Sequence, residues 1–573
     1  MNAATQGLVR FPVWRARLVL GALVCAFALL AARSLYLQAL DTDFLQEKGD
    51  ARYSRVIEVP ATRGRILDRN GDALAVSTPV KSIWAIPGDV ELTGVQRGTL
   101  AQLLGLARGE LEKKLETGRD FVYLKRQISP DTADAVAALG LKGFYQHREF
   151  RRYYPGGEVT AHVIGFTGVD DAGQEGIELA FQGHLGGKPG TRRVIKDRLG
   201  HIVEDVESIR SAQDGRDLAL SIDGKLQSLA FGALKAAVEQ HRAKAGALVA
   251  VDVRSGEVLA LVNVPSFNPN NRARLTGAQL RNRVITDMFE PGSTLKPFTV
   301  ALALETGRVT PSTRVLTAPG RLTLANHTIR DVHPAAVLTV AQIIQKSSNV
   351  GSAKIALAMP REAMWELYKR VGFGEAPQLG FPGAAAGKLR PHRQWRPIEQ
   401  ATMAYGHGIS VSLVQLARAY TVFARDGELV RLTLVKSPAE VSGDKVLSAE
   451  TARALRAMLE LAVQPGGTGP RARIMGWRVG GKTGTAHKLE NGGYAADKYL
   501  SSFVGFAPAS APRLVVAVMI DEPAAGQHYG GAVAAPVFAQ VMQGALRMLN
   551  VPHDAPLEPV GLPGEGEEAK EST

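Results

Sequence analysis

The chain of 573 residues predicts an α+β protein that a single N-terminal helix anchors in a membrane. Three features support this fold class: a long apolar run near the N-terminus, a region rich in short strands, glycine and charge, and a longer region of paired apolar strands between helical segments. We divide the chain into a cytoplasmic N-terminus (1–17), a transmembrane anchor (18–40), a first α+β domain (50–220), a second, larger domain (221–549) and a tail (550–573) that is rich in Pro, Gly and Glu and is expected to be disordered.

The apolar run begins after three arginines. Residues 18–32 are uninterrupted and apolar, which is shorter than the roughly 20 residues of a membrane span, but the apolar pattern continues to Leu40. A cleaved signal peptide is the alternative, because residues 26–28 read Ala-Phe-Ala and imitate a cleavage site. Cleavage there would leave an apolar new terminus, so we favour an uncleaved anchor. The arginines place the N-terminus in the cytoplasm and the rest of the chain outside it.

Composition excludes several classes of function. The net charge of +13 is spread along the chain, whereas a nucleic-acid-binding protein would cluster it. The only cysteine, Cys25, lies in the anchor, so the exported part has neither a disulfide nor a thiol nucleophile. The histidines are scattered and HExxH is absent, so we predict no metal site and no cofactor.

Residues 476–483, GWRVGGKT, fit the phosphate-binding pattern G-x-x-x-x-G-K-[ST]. A P-loop must open a helix, because its phosphates bind at the helix N-terminus. The residues after Lys482 contain several glycines and no apolar stripe at helical spacing, so they predict strand, turn and loop. The apolar run LVVAVMID then predicts a buried strand that ends at Asp521. We therefore exclude a nucleotide hydrolase.

The segment EPGSTLKPF, residues 290–298, predicts a serine nucleophile beside a lysine base. Ser293 follows a Pro-Gly turn and is expected to be the N-cap of a helix that ends at Gly307. Ser293 and Lys296 are three residues apart, so their side chains share one face. Residues 442–445, SGDK, match the same S-x-x-K pattern, but no helix follows them and we interpret them as a surface turn.

Two further motifs follow. A T-x-x-Q capping box, Thr339 to Gln342, opens a helix that runs to about Lys346 and delivers the S-x-N residues 347–349. By itself this S-x-N would be a cluster that ends a helix. The segment GKTGT, residues 481–485, predicts an edge strand whose glycines allow a close approach of ligand and backbone.

Chemistry suggests a role for each motif. Ser293 attacks a carbonyl, and Lys296 accepts the proton, which requires a pKa far below the roughly 10.4 of free lysine. Burial and a second cation, Lys482, would lower the pKa in this way. Ser347 is placed to relay the proton to a leaving amine, and Asn349 to hold Lys296 and a substrate amide.

The second domain predicts antiparallel strands with helices packed around them. Residues 247–253 and 258–262 form a hairpin around RSGE, and YLSSFVGFAP and RLVVAVMID form a second strand pair beside the Lys482 strand. A C-terminal helix at about 536–548 turns Phe538 and Val541 inward.

The order S-x-x-K, S-x-N, K-T-G is that of penicillin-binding proteins and serine β-lactamases. With the motifs RGRILDRNGDALA, RYYPGGEVTAHVIGF and GQEGIELAFQGHLGGKPG upstream, the chain resembles the class B penicillin-binding proteins from the anchor to about residue 550. The run STPVKSIWA is most similar to the division-specific members. The resemblance implies a pedestal, or dimerisation-type, domain at 50–220 and a transpeptidase domain with a five-stranded antiparallel sheet at 221–549.

The resemblance also implies the substrate. The family cross-links peptidoglycan stem peptides that end in D-alanyl-D-alanine, and β-lactams mimic that end. Backbone N–H groups of Ser293 and Thr485 would form the oxyanion hole, and Lys482, Thr483 and Thr485 around Gly484 would bind the terminal carboxylate. A membrane glycosyltransferase and other division proteins would be partners. An elongation-specific transpeptidase, a β-lactamase and a β-lactam sensor are the alternatives.

Four charged residues in the upstream motifs have no nucleophile and base at useful spacing. We interpret them as buried ion pairs that hold domains together. They are Arg63, Asp68, Arg152 and Glu178.

Overall fold

The computed structural model describes residues 12–40, 54–119, 121–196, 202–437, 440–490 and 492–557. The chain forms two compact units. The first unit contains Met1–Thr62, Pro79–Glu149 and Gly187–Asp214, and the second contains Arg63–Thr78, Phe150–Gly186 and Gly215–Thr573. The second unit therefore takes in Arg63–Thr78, Phe150–Gly186 and residues 215–220 of the region that we assigned to the first domain.

The N-terminal helix spans Val13–Leu35 and continues as a π-helical turn, Tyr36–Leu40. Within the described part of the chain, one helix, Val13–Gln38, is long and apolar enough to cross a membrane, and none of its apolar window is buried. The helix begins five residues before the predicted anchor, directly after Pro12, so Arg15 and Arg17 belong to it. Residues 1–11 of the predicted cytoplasmic segment lie outside the described residues.

The first unit contains antiparallel strands and a small helical core. Its three-stranded sheet pairs Ser54–Val59 with Gly190–Lys196, which pairs with Ile202–Arg210. Residues 81–85 of the long strand Ala73–Ala85 pair with Val122–Ile128. Three helices, Gly94–Leu104, Arg108–Leu115 and Pro130–Ala138, contribute to an apolar core around Leu100 and Leu124.

The second unit is built on a five-stranded antiparallel sheet, as the resemblance implied. In spatial order the strands are Val258–Val264, Ala245–Asp252, Leu514–Asp521, Gly493–Ala507 and Gly480–Glu490. Alternate residues face opposite cores, since Val515 packs in one apolar cluster and Val516 in the other. Val258–Val264, Ala245–Asp252 and Leu514–Asp521 are buried at all but one residue, and the other two strands are buried over residues 500–507 and 480–486, which identifies a sheet covered by helices on both faces.

Helices Gly224–Gln240 and Ala535–Met548 pack in the apolar cluster on one face of the sheet. Phe538 and Val541 are fully buried there, which confirms their predicted inward orientation. The cluster on the other face takes in most of the remaining helices. The longer ones are Lys296–Glu305, Val340–Lys346, Asn349–Leu357, Arg361–Arg370, Pro397–Met403, Leu413–Ala424 and Ala449–Leu461.

Short strands complete the second unit. They pair Leu218–Ala219 with Ile66–Leu67, Phe166–Thr167 with Gly173–Glu175, Arg314–Leu316 with Val337–Thr339, Arg321–Leu324 with His327–Arg330, and Glu428–Leu429 with Asp444–Lys445.

Residues 550–557, which we assigned to a disordered tail, make defined contacts. Asp554 accepts hydrogen bonds from the Arg478 backbone N–H at 2.7 Å and from the Ser510 hydroxyl at 2.6 Å. The Trp477 indole donates to the Pro552 carbonyl at 2.9 Å. The tail composition could not predict this, because the partners lie 44 to 76 residues earlier. Residues 558–573 lie outside the described residues.

Three of the four predicted charged residues form one buried cluster within the second unit. Arg63 and Arg152 each donate to one oxygen of Glu178, at 2.6 and 2.7 Å. The cluster joins segment Arg63–Thr78 to segment Phe150–Gly186. Asp68 departs from our interpretation: its carboxylate accepts backbone N–H bonds from residues 70, 72 and 224 and forms no ion pair that the structure describes. A short Asp side chain in a turn reaches nearby backbone more readily than a distant cation.

Candidate active site

Ser293 lies in a 3₁₀ turn, Gly292–Leu295, that continues as the helix Lys296–Glu305. Pro291 stands at the N-cap position, so the prediction that Ser293 caps the helix was wrong. The Ser293 hydroxyl instead accepts a hydrogen bond from Lys296 Nζ at 2.9 Å. The tight first turn places the two side chains together, as their spacing predicted.

Lys296 is fully buried and lies between two hydroxyl groups. Its Nζ is 2.9 Å from Ser293 Oγ and 2.9 Å from Ser347 Oγ. It also donates to the Ser347 carbonyl oxygen at 2.5 Å. The S-x-x-K and S-x-N motifs, more than fifty residues apart in sequence, therefore meet at one amine.

The capping box was predicted correctly. The Thr339 side chain accepts from Gln342 N, the Gln342 side chain accepts from Thr339 N, and the helix runs Val340–Lys346. Ser347 follows in the left-handed conformation, with φ of 60°. Its neighbour Ser348 caps the next helix. This sharp reversal between two helices turns the Ser347 side chain toward Lys296.

Asn349 is buried at the start of the helix Asn349–Leu357. Its amide Nδ2 donates to the Arg330 carbonyl at 3.3 Å. Its Oδ1 is buried without a hydrogen-bond partner among the described residues, so the bond that we expected from Lys296 to Asn349 is not formed. A buried carbonyl oxygen in this position can accept an N–H from a ligand.

Lys482 and the threonines that follow it lie on the edge strand Gly480–Glu490, as predicted. Lys482 is fully buried, and its Nζ contacts Thr468 Oγ1 at 3.3 Å and Thr483 Oγ1 at 3.2 Å. Thr485 Oγ1 accepts from Gly530 N at 3.0 Å. Because strand, not helix, follows Lys482, the exclusion of a P-loop is confirmed.

Gly484 brings the edge strand against the nucleophile turn. A Cβ at Gly484 would lie 2.8 Å from the Pro291 carbonyl oxygen and 2.5 Å from Ser502 Oγ, so only glycine fits. From the other side, a Cβ at Gly292 would lie 3.6 Å from Thr485 N. All three motifs therefore belong to one site.

Residues 442–445, the second S-x-x-K match, lie elsewhere. Asp444 and Lys445 form a two-residue strand, and Lys445 donates to the Asp426 carbonyl at 2.7 Å. Ser442, Asp444 and Lys445 are exposed. No helix follows directly, so this match lacks the buried setting of Ser293.

Sequence analysis missed three residues beside the nucleophile turn. Glu290 accepts hydrogen bonds from the Tyr494 hydroxyl at 2.9 Å and from Gly408 N at 2.8 Å. His407 Nδ1 lies 3.8 Å from Glu290 Oε2. Burial raises the pKa of Glu290, whereas burial, followed by the charge of Lys296, lowers the pKa of His407 to about 4. Glu290 opens the segment EPGSTLKPF, but its partners His407 and Tyr494 come from distant segments that match no short pattern, so no local signal marks the group.

Two family models match the chain. The one described as penicillin binding protein transpeptidase domain matches residues 246–543, and the one described as penicillin-binding protein dimerisation domain matches residues 58–220. Together they cover the chain from residue 58 to residue 543 apart from residues 221–245.

Curated relatives match over almost their whole length. The probable peptidoglycan D,D-transpeptidase PenA of Neisseria gonorrhoeae is 45% identical over 548 residues, which cover 95% of this chain and 94% of the relative. The peptidoglycan D,D-transpeptidase FtsI of Escherichia coli is 44% identical over 553 residues, which cover 95% of this chain and 93% of the relative.

Among solved structures, the apo TP domain of penicillin-binding protein 3 from Burkholderia pseudomallei is 53% identical and superposes with a TM-score of 0.55. That match covers 59% of this chain and 98% of the other. Motifs, site geometry, both domain models and the full-length relatives agree, so the chain belongs to the class B penicillin-binding proteins.

Proposed function

We propose that this chain is a peptidoglycan D,D-transpeptidase that cross-links stem peptides through a Ser293 acyl-enzyme during septal wall synthesis. The observation that carries the proposal is the position of Lys296 Nζ, 2.9 Å from both Ser293 Oγ and Ser347 Oγ in a buried cluster. A nucleophile, a base and a relay group within hydrogen-bond distance meet the geometric requirement of nucleophilic catalysis.

Acylation begins when neutral Lys296 accepts the Ser293 proton and Ser293 Oγ attacks the carbonyl between the two D-alanines. Negative charge develops on the carbonyl oxygen, and the backbone N–H groups of Ser293 and Thr485 stabilise it. The close approach of the nucleophile turn to the Thr485 backbone supports this pair of donors. The Ser347 hydroxyl passes the proton from Lys296 to the departing amine of D-alanine.

Deacylation transfers the acyl group to an amine on a neighbouring stem. The incoming amine loses its proton through Ser347 to Lys296, and Ser293 leaves as the alcohol and regains a proton. One amide is broken and one is formed, so no oxidant, metal or nucleotide is consumed.

Substrate orientation falls to the edge strand and Asn349. Lys482 with the Thr483 and Thr485 hydroxyls binds the terminal carboxylate, and Gly484 keeps this strand against the nucleophile turn. The Oδ1 of Asn349, which has no hydrogen-bond partner in the described part of the chain, accepts an amide N–H of the stem peptide. A β-lactam carries the same carboxylate and amide, so it enters the same way and stops at the acyl stage.

Ser293→Ala tests the chemistry. In membranes that contain the full-length chain, the wild-type protein should react covalently with a fluorescent penicillin, and the variant should not. Ser442→Ala, in the second S-x-x-K match, is the matched control and should label as wild type does. Labelling that survives Ser293→Ala would overturn the assignment, and rapid release of hydrolysed penicillin by the wild type would identify a β-lactamase instead.

The proposed location is the cytoplasmic membrane, with a single pass, a cytoplasmic N-terminus and the catalytic unit in the periplasm. The exposed apolar helix Val13–Gln38 supports the anchor, and the arginines before and within its start support the orientation. A membrane glycosyltransferase and other division proteins are the proposed partners.

An N-terminal fluorescent fusion that complements loss of the native protein tests the septal role. The fusion should gather at the septum, and its fluorescence should resist protease added outside the cytoplasmic membrane. Accumulation along the side wall would instead identify an elongation-specific transpeptidase.

A further inference from the structure

A glycine-rich loop, residues 464–469, lies beside the candidate active site and belongs to none of its three motifs. The loop follows the helix Ala449–Leu461 and reads QPGGTG. Two backbone bonds close it, from Gly467 N to the Gln464 carbonyl at 2.8 Å and from Gly469 N to the Ala462 carbonyl at 3.0 Å. We call it the Thr468 loop.

Thr468 points its hydroxyl at the edge strand. Its Oγ1 is 2.8 Å from Thr483 Oγ1 and 3.3 Å from Lys482 Nζ, and only 4% of the residue is exposed. Thr468 therefore touches two of the groups that we assign to the substrate carboxylate.

The same loop contacts the S-x-N segment. Lys346, the residue before Ser347, donates from Nζ to the Gly466 carbonyl at 2.7 Å. One short loop thus bonds on one side to the neighbour of the relay serine and on the other to the carboxylate-binding residues.

Close packing holds the loop in this position. A Cβ at Gly531 would lie 2.2 Å from the Thr468 carbonyl oxygen, and a Cβ at Gly469 would lie 3.3 Å from Thr483 Cγ2. Neighbouring backbone therefore approaches the loop more closely than any other residue type would allow. The Thr468 hydroxyl has little freedom to move away from Thr483.

We infer that Thr468 is a positioning residue that orients the Lys482 ammonium and the Thr483 hydroxyl toward the carboxylate of the substrate. A hydroxyl has one proton and accepts through two lone pairs. In the arrangement that we infer, Thr483 Oγ1 accepts from Lys482 and from Thr468, and its single O–H donates to the carboxylate when substrate is bound. Without the Thr468 hydroxyl, the Thr483 O–H is no longer oriented toward the substrate carboxylate. This inference rests on the proposed function, because it assigns a role within that site.

Thr468→Val tests the inference, since valine keeps the shape and removes the hydroxyl. With full-length protein in detergent, the second-order rate of acylation by a fluorescent penicillin should fall about ten- to a hundredfold, the range for a lost bond to a charged group. Thr468→Ser should restore the rate to within about threefold, because serine returns the hydroxyl.

A second probe separates positioning from a general structural defect. A penicillin methyl ester competes for the same serine but lacks the carboxylate that Thr483 and Lys482 would bind. The wild type should prefer the free acid strongly, and Thr468→Val should lose most of that preference while reacting with the ester at nearly the wild-type rate. Equal losses for acid and ester would overturn the inference.

Thr421→Val is the matched control. Thr421 is buried too, and its hydroxyl donates to the Arg418 carbonyl at 2.6 Å and accepts from Val430 N at 3.3 Å; among the described residues it makes no hydrogen bond to a residue of the site. It should leave the acylation rate unchanged. A Thr468→Val rate within twofold of wild type would refute the positioning role while Ser293→Ala still abolished labelling. Labelling of Ser293→Ala would instead refute the proposed function itself.

Discussion

Two buried clusters in the second unit hold basic side chains in different ways. In the first, Arg63 and Arg152 share the carboxylate of Glu178 at 2.6 and 2.7 Å. In the second, Lys296 lies 2.9 Å from two hydroxyl oxygens, those of Ser293 and Ser347.

The difference teaches what each cluster is for. Arginine stays protonated in a protein, whereas a buried lysine can release its proton. An arginine on a carboxylate is therefore a permanent ion pair that fixes two chain segments. A lysine between two hydroxyls can accept a proton from one and deliver it to the other. Both clusters are buried. A carboxylate partner gives the first a structural role, and hydroxyl partners allow proton transfer in the second.

Lys296→Arg tests most directly whether this site needs a group that can release its proton, and it has the largest expected effect. The guanidinium keeps the positive charge but cannot act as a base, so the rate of acylation by a fluorescent penicillin should fall about 10²- to 10⁴-fold. Circular dichroism should show that the fold is retained. A variant that acylates at the wild-type rate would show that charge alone, without proton transfer, is sufficient.

Glu178→Gln tests the other cluster. The change leaves two buried guanidinium groups without their carboxylate, so the free energy of unfolding should fall by about 3–5 kcal/mol. Urea denaturation of the detergent-solubilised protein measures it. A decrease below about 1 kcal/mol would show that the pair does not hold the segments together.

A pH titration of stability has a smaller expected effect. The pKa of His407 is lowered to about 4, by burial first and then by the charge of Lys296, and burial likewise lowers the pKa of His162 to about 4. The unfolded chain, with an ordinary histidine pKa near 6.5, binds more protons between these values. Each neutral histidine therefore stabilises the fold fully above about pH 6.5, and this stabilisation is lost as the pH falls toward 4.

His407→Gln should accordingly reduce the loss of unfolding free energy between pH 6.5 and 4.5, by at most about 1.4 kcal/mol per pH unit. His162→Gln is the matched comparison, since it is buried away from Lys296 and should act in the same direction. The comparison must be made between variants. Burial raises the pKa of Asp171 to about 6, so this residue makes the folded state more stable, not less, as the pH falls. Parallel curves for wild type and both variants would contradict the prediction.

Asp217→Asn has the smallest expected effect. Asp217 pairs with Arg65 at 2.7 Å, but both side chains are largely exposed to water, where such pairs contribute little. The urea midpoint should not change measurably. A shift comparable with that of Glu178→Gln would break the link that we draw between burial and the strength of an ion pair.

Local patterns predicted the main parts of the site. The capping box from Thr339 to Gln342 predicted the first residue of one helix correctly, because its two hydrogen bonds are made within four positions. The apolar runs of the strands and the spacing of Ser293 and Lys296 were equally informative. Each of these signals depends on neighbours in sequence.

Contacts between distant segments could not be predicted in this way. The hydroxyl of Thr468 meets Thr483 across a loop with no recognisable pattern, and Glu290 meets Tyr494 across 204 positions. The N-cap prediction for Ser293 failed for a local reason: a 3₁₀ turn begins at Gly292, so Pro291 takes the cap position and the Ser293 hydroxyl accepts from Lys296 Nζ. The ordering of residues 550–557 depends likewise on partners such as Trp477.

The left-handed backbone of Ser347 has a consequence for protein engineering. An L-amino acid at φ of 60° costs the fold roughly 1–2 kcal/mol that glycine would not. A selection for heat resistance alone would therefore favour glycine at this position. That substitution would remove the hydroxyl that contacts Lys296, and the more stable protein would have no transpeptidase activity.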